Sequence, residues 1–270
     1  MILQTLIIFI LCITAQATPN FHPQDYTKQH VQCPTVNRNG GTGEPRETTI
    51  NMSYVNINPN ANKTTLLMVH GFPGLWSSFS NQILHFQDKY NLVIPDLRGF
   101  GDSTHPGDVQ ASGSYGDFVG DLVCVLRHAG VAKAVCIGHD WGAQICYEAA
   151  RMRPDLIEGV VGAALPYLPA VAKEPIPIES LIAALPKLTY LIYLQKKTDA
   201  AIAELNRDIR RSLRAFIRSY HSPSAHRFLR SKHNLLKAYD DVDEIPPIPF
   251  FTPEEEDYYV EQYQKQGFDY

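Results

Sequence analysis

Apolar positions along the chain change their spacing in a regular way, and that alternation carries the first structural signal. Thr48 to Ile57 alternates polar and apolar side chains in strand fashion. Thr65-Leu66-Leu67-Met68-Val69 is a short continuous apolar run, the pattern of a strand buried on both faces. Trp76 to Lys89 then reads as a helix, Leu92-Val93-Ile94-Pro95 as a strand and Tyr115 to Ala129 as a helix. Ala134-Val135-Cys136-Ile137 follows as a strand, Ala143 to Met152 as a helix and Ile157 to Ala163 as a strand. Strands alternating with helices of this length predict an α/β fold, a mostly parallel sheet with helices on both faces.

After Leu165 the character changes. Pro166, Pro169, Pro175 and Pro177 punctuate a loop, no further apolar strand run appears, and the remainder reads as helical. Ile202, Leu205, Ile209, Leu213 and Phe216 recur at spacings of three and four, which predicts one amphipathic helix. Thr252-Pro253-Glu254-Glu255 is a helix start with Thr as N-cap, Pro at the first helical position and Glu at the third. The acidic run Glu254 to Asp257 is therefore read as a helix N-terminus and not as a metal site. The expected division is a core over 47–164 and a helical cap over 165–270, preceded by an irregular leader over 18–46, rich in Pro, Asn, Gln and Gly.

Met1 to Ala17 is an apolar run closed by Ala15-Gln16-Ala17, the pattern of a secretory signal peptide. An N-terminal membrane anchor is the alternative, but the run falls short of the roughly 20 apolar residues a spanning helix needs. The expected location is outside the cell or in the secretory lumen, with no membrane attachment once the signal is removed. Asn51-Met52-Ser53 and Asn62-Lys63-Thr64 are then glycan acceptor patterns at Asn51 and Asn62. Lys+Arg 24 against Asp+Glu 28 gives a net charge of −4, with 44% hydrophobic residues. That composition excludes a disordered chain and a collagen or coiled-coil repeat, and it gives no electrostatic pull toward nucleic acid. Cys33, Cys124, Cys136 and Cys146 remain after the signal. Because Cys136 lies in a strand-like run and Cys124 and Cys146 in helix-like ones, they are read as small buried hydrophobes ahead of disulfide staples, and no pairing is assigned. No Cys/His spacing suits a metal, and no cofactor is implied.

The segment Val135-Cys136-Ile137-Gly138-His139-Asp140-Trp141-Gly142-Ala143 runs from a buried strand through Gly-x-Asp-x-Gly into a helix. This is the nucleophile-elbow pattern with Asp140 where Ser usually stands. Gly138 and Gly142 let strand and helix pass closely, and the tight turn pushes the central side chain out above the sheet. A carboxylate there sits at a helix N-terminus, and the Trp141 N–H can point at a developing oxyanion. His70-Gly71-Phe72-Pro73-Gly74 follows an earlier strand and offers the Phe72 N–H as the other half of an oxyanion hole. His70 itself reads as a structural residue bonding the loop. Pro95-Asp96-Leu97-Arg98-Gly99-Phe100-Gly101-Asp102-Ser103 reads as a loop held by an Asp/Arg pair.

With these three motifs in order, the chain resembles the α/β-hydrolase superfamily, and within it the epoxide hydrolases, across Thr48 to Gly267. The resemblance implies the α/β-hydrolase fold with a helical cap, a cis peptide before Pro73, and Asp140 as the nucleophile attacking a small apolar epoxide. It also implies an oxyanion hole from Phe72 and Trp141, and a cap tyrosine that hydrogen-bonds the epoxide oxygen. Tyr190 is the first choice for that tyrosine and Tyr193 the second. The family's general base, a His with a carboxylate partner, lies beyond the cap on loops after the last core strands, and this sequence reaches Tyr270 first. The expectation is accordingly a chain lacking the last core strands and the hydrolytic pair. His221, His226 and His233 sit in a polar, solvated stretch and are not assigned as the base. The sixth strand is then an apolar edge, which invites aggregation or pairing with another chain, a homodimer included. Haloalkane dehalogenases also use Asp followed by Trp, but commonly carry Asn where Phe72 stands. A non-catalytic secreted binding protein or fragment is the alternative outside enzymes.

Overall fold

The computed structural model describes residues 21–41, 43–60, 62–107, 111–167 and 177–269. The expected signal peptide, Met1 to Ala17, and the anchor alternative lie outside the described residues, and no described helix is long and apolar enough to cross a membrane.

Among the described residues six strands form one sheet: β1 (Lys28–Asn37), β2 (Arg46–Ile57), β3 (Thr65–Val69), β4 (Asn91–Pro95), β5 (Ala134–His139) and β6 (Ile157–Ala163). Their order is β1-β2-β4-β3-β5-β6. β1, β2 and β4 pair antiparallel, and β4, β3, β5 and β6 pair parallel. β3 is buried throughout. Its alternate side chains divide between two cores. Leu66 and Met68 join Trp76, Ile83 and the cap residues Leu205, Leu213 and Tyr259. Leu67 and Val69 join Leu122, Val125, Ile145 and Ala149 from α2 (Tyr115–His128) and α3 (Trp141–Met152). The continuous apolar run thus reports a strand with hydrophobic neighbours above and below.

In the sheet and the elements packed on it, three expectations are corrected. The irregular leader contains β1, which registers against β2 from Lys28↔Val55 to Asn37↔Arg46. Among the described residues β1 has a neighbour on one side only, and it mixes polar residues and Pro34 into its run, as an edge strand can. The predicted helix between Trp76 and Lys89 is a 3-10 turn, Trp76–Phe79, followed by the short α1 (Ser80–Phe86). The cysteines are paired: Cys33 with Cys124 ties β1 to α2, and Cys136 with Cys146 ties β5 to α3. Burial and pairing are compatible here, because each helix packs back onto a strand and brings the Cα atoms to 5.9 and 5.5 Å.

Beyond β6 every named element among the described residues is helical: α4 (Ile178–Ala184), α5 (Tyr190–Lys196), α6 (Thr198–Asn206), α7 (Ile209–Phe216) and α8 (Pro253–Gln266), with 3-10 turns at Pro186–Leu188 and Leu236–Tyr239. The single amphipathic helix expected from Ile202 to Phe216 is two helices. Asp208 is extended (φ −147°, ψ 94°) and its carboxylate accepts the Arg211 N–H at 2.9 Å, so it starts α7 as an N-cap. α8 begins as expected, with the Thr252 hydroxyl accepting the Glu255 N–H at 3.1 Å and the Glu255 carboxylate accepting the Thr252 N–H at 2.8 Å. β6 ends the sheet among the described residues, with Val161 55% exposed. Of the two glycan acceptor patterns, Asn62 is exposed, whereas the Asn51 amide donates to the Asp102 carbonyl at 3.0 Å.

Candidate active site

β5 ends at His139 and α3 starts at Trp141, which leaves Asp140 alone in the turn at φ 55°, ψ −127°. A non-glycine residue in that region costs about 1–3 kcal/mol and persists where its surroundings over-determine it. Here the surroundings are backbone. A Cβ on Gly138 would overlap the Gly142 carbonyl, and one on Gly142 would overlap the Val69 carbonyl of β3. The start of α3 therefore rests directly on two strands. The Asp140 N–H donates to the Ala163 carbonyl at 3.0 Å, and its own carbonyl accepts the Ala143 N–H at 2.9 Å.

This turn aims the Asp140 carboxylate at the loop after β3, where the Phe72 N–H donates to Oδ1 at 3.0 Å. A Cβ on Gly71 would stand 2.5 Å from that oxygen, so only glycine lets the loop come so near. The Phe72–Pro73 peptide is cis, and Gly74 N–H closes the turn onto the Gly71 carbonyl at 2.8 Å. His70 is 1% exposed and ties this loop to the next one: its Nε2 accepts the Leu97 N–H at 2.9 Å. Nδ1 then carries the proton and donates to the Gly71 carbonyl at 2.9 Å. Burial, above all, holds the His70 pKa below its ordinary value, so the ring is neutral in this role.

The loop carrying Leu97 is held differently from the expectation. Arg98 pairs with Asp121 of α2, at 2.6 and 2.7 Å, and not with Asp96. Asp96 accepts from Lys28 Nζ of β1 and from the Trp76 N–H, both at 2.9 Å. A local Asp/Arg spacing cannot reveal partners on distant elements.

Phe72 and Trp141, which flank Asp140, line a cavity of 620 Å³ whose walls are mostly apolar and include Phe118 of α2, Leu205 of α6, Phe268 and Tyr190; Asp140 itself is not one of its lining residues. Tyr190 opens α5. Burial, then the Asp140 charge, push its phenol above the ordinary value, so it is a protonated donor at neutral pH. Tyr193 is placed elsewhere. It is buried, and burial, with the Glu204 carboxylate as the lesser cause, raises its pKa to about 12; it does not line this cavity. A second cavity, of 480 Å³, shares Gly71 and Phe72 with the first and adds His139 and Phe216. His221, His226 and His233 are exposed and line neither cavity. Among the described residues no group of His, Cys, Asp and Glu is arranged to hold a metal ion.

The sequence reading missed Ser114 and Tyr115 at the head of α2, Ile202 and Leu205 on α6, and Phe268 with Asp269 after α8, all of which line the first cavity. Gly267, at φ 70° after the last turn of α8, was the available signal that the chain turns back there.

Residues 64–208 match the alpha/beta hydrolase fold family. The chain belongs to the α/β-hydrolase fold family. Within it, the similarity is to epoxide hydrolases. Epoxide hydrolase 2 of Siraitia grosvenorii is 28% identical over 244 residues, covering 89% of this chain and 70% of the relative. Epoxide hydrolase A of Mycobacterium tuberculosis is 30% identical over 211 residues, covering 75% of this chain and 63% of that protein. The match to Epoxide hydrolase 3 of Siraitia grosvenorii, 38% identical over 105 residues, covers a smaller share, 33% of the relative. The crystal structure of epoxide hydrolase A from Mycobacterium thermoresistibile superposes with a TM-score of 0.68 at 26% identity, over 90% of this chain and 72% of that one. This hydrolase-fold chain thus spans from a third to about 70% of the relatives it matches.

Proposed function

We propose that this chain is a hydrolase of the epoxide-hydrolase type that opens a small apolar epoxide through an ester on Asp140. The observation that carries the reading is the Asp140 carboxylate, set on a strained elbow with Oδ1 3.0 Å from the Phe72 N–H, beside an apolar cavity that also holds Tyr190. Oδ2 attacks a ring carbon and the ring C–O bond breaks. The departing oxygen takes the Tyr190 phenolic proton, which solvent restores, and the product is a hydroxyalkyl ester of Asp140. Oδ1 becomes the ester carbonyl oxygen. When water adds, the charge developing there meets the Phe72 N–H already 3.0 Å away, and on this reading the Trp141 N–H, which as the first of α3 has no intrahelical acceptor, is the second donor.

That addition needs a base. No histidine is among the described residues lining the first cavity, so on their own they favour an ester that forms and persists. A haloalkane dehalogenase-like hydrolase is the runner-up, disfavoured by Phe72 in place of Asn. A non-catalytic binding protein would use the same cavity reversibly. The mature chain works in an oxidising compartment, a reading supported by its two disulfides, with Asn62 as the exposed glycan acceptor.

The test is a panel of styrene oxide, 1-bromobutane and p-nitrophenyl acetate offered to the 270-residue chain and to Asp140→Ala. Consumption of the epoxide that disappears in Asp140→Ala supports the reading. Bromide release without epoxide loss would move it to a dehalogenase, and ester hydrolysis surviving Asp140→Ala would contradict the mechanism.

A further inference from the structure

Two walls of the first cavity come from segments far apart in sequence, and a single side chain joins them. α6 contributes Ile202 and Leu205, and the segment after α8 contributes Phe268 and Asp269. Asn206, the last residue of α6, reaches across with both ends of its amide. Its Oδ1 accepts the Phe268 N–H at 2.8 Å and its Nδ2 donates to Asp269 Oδ1 at 2.9 Å. Gly267 stands at φ 70° against it, and a Cβ there would lie 2.7 Å from the Asn206 amide nitrogen. The ring so placed packs against Phe72 at 6.0 Å between centroids and against Tyr263 at 4.8 Å. Phe72 is the residue whose N–H holds Asp140.

We infer that Asn206 is a positioning residue that fixes the width of the cavity, and through Phe268 selects the shape of the apolar substituent that lies beside Asp140. The inference deepens the epoxide-hydrolase reading and rests on it for the identity of the ligand. Side chains that merely touch a cavity wall act by their own volume. Asn206 acts differently, since it is not itself a lining residue: it follows Leu205 on α6 and holds the Phe268 N–H. Loosening this seam lets the α6 wall and the Phe268 wall move apart, so its loss favours a ligand carrying two rings over one carrying a single ring.

The experiment measures binding and chemistry separately on the full chain. Calorimetric titration with two unreactive probes, toluene and trans-stilbene, gives the ratio of their affinities. Asn206→Ala should shift that ratio toward stilbene by about tenfold, the scale of a misfit of one methylene group in an apolar pocket. The exchanged pair Asn206→Asp with Asp269→Asn restores one acceptor for the Phe268 N–H and one amide-to-carboxylate bond, and should return the ratio to within about twofold. A ratio unchanged in Asn206→Ala, or an equal loss for both probes that the exchanged pair does not rescue, overturns the inference. Styrene oxide ester on Asp140 is read in parallel. If it is absent from the wild-type chain while the probe ratio still follows Asn206, the epoxide reading fails and the positioning role stands.

Discussion

The elbow and the cap solve the same problem, holding groups around one cavity, by opposite means. At the elbow the restraint is backbone against backbone: Gly138 and Gly142 leave no room for a Cβ, and the turn so fixed aims the Asp140 carboxylate at the Phe72 N–H. In the cap side chains supply the restraint, against other side chains or against backbone N–H groups. Glu256, nearly buried, takes Arg210 and Arg214 at 2.8 Å each, Glu204 takes the Leu235 and Leu236 N–H groups, and Asn206 takes Phe268. The elbow therefore has one geometry and little tolerance. The cap is adjustable residue by residue, which suits a surface that must match a substrate.

The largest effect expected from this contrast is at Gly142. Gly142→Ala forces α3 off β3 and should cost more than about 4 kcal/mol of stability, seen as loss of the folded baseline in chemical denaturation. A variant that folds with an unchanged midpoint would show the close approach to be dispensable. Tyr190→Phe leaves the fold intact and removes the proton donor, so Asp140 ester formation should slow about 100-fold with little change in probe binding. The same residue sets a pH limit: with its pKa raised, ester formation should hold up to the ordinary phenol value near 10 and decline only above it, in a stopped-flow pH profile. A decline beginning well below that would remove Tyr190 from the role.

Smaller changes belong to the cap and its seam with the core. Glu256→Ala strands neither arginine completely, because Arg210 keeps Asp257 and Arg214 keeps Glu244. The expected cost is about 2 kcal/mol in urea denaturation, below that of Gly142→Ala; equal costs would erase the contrast. Asp102 joins core to cap through Lys28 and Lys265, at 2.8 and 2.7 Å. Burial pushes its pKa up, but the two ammonium groups outweigh that and hold it low. Its contribution is thus present above the ordinary carboxylate value near 3.9 and is lost as pH falls through the lower folded value. Asp102→Asn should lower stability by about 1 kcal/mol at pH 7 and flatten the acid limb of a pH–stability curve; an acid limb as steep as the wild type's would clear Asp102 of that part.

What the sequence disclosed follows the same division. The elbow, the loop after β3 and the four parallel strands were legible because backbone constraints and two-sided burial leave marks at fixed short spacings: Gly-x-Asp-x-Gly, His-Gly-Phe-Pro-Gly, and apolar runs such as Leu66 to Val69. β1 was not, since an edge strand pairs on one side and can carry Lys28, Gln29 and Pro34. The break at Asp208 was hidden because the apolar period continues through it, although an Asp ahead of Ile209 is a helix start. The partners of Arg98 and Asp96, and the pairing of four cysteines, depend on elements far apart in sequence. Asn206 and Phe268 carry no motif at all, and only the folded cap brings them together.

The most direct test of the central claim is intact-mass and peptide-map analysis of the chain after incubation with styrene oxide. The account predicts a mass increase of one epoxide per chain, mapped to Asp140 and absent from Asp140→Asn, with the label arriving more slowly in Tyr190→Phe. An unlabelled chain, or a label that maps to another residue and persists in Asp140→Asn, would contradict it.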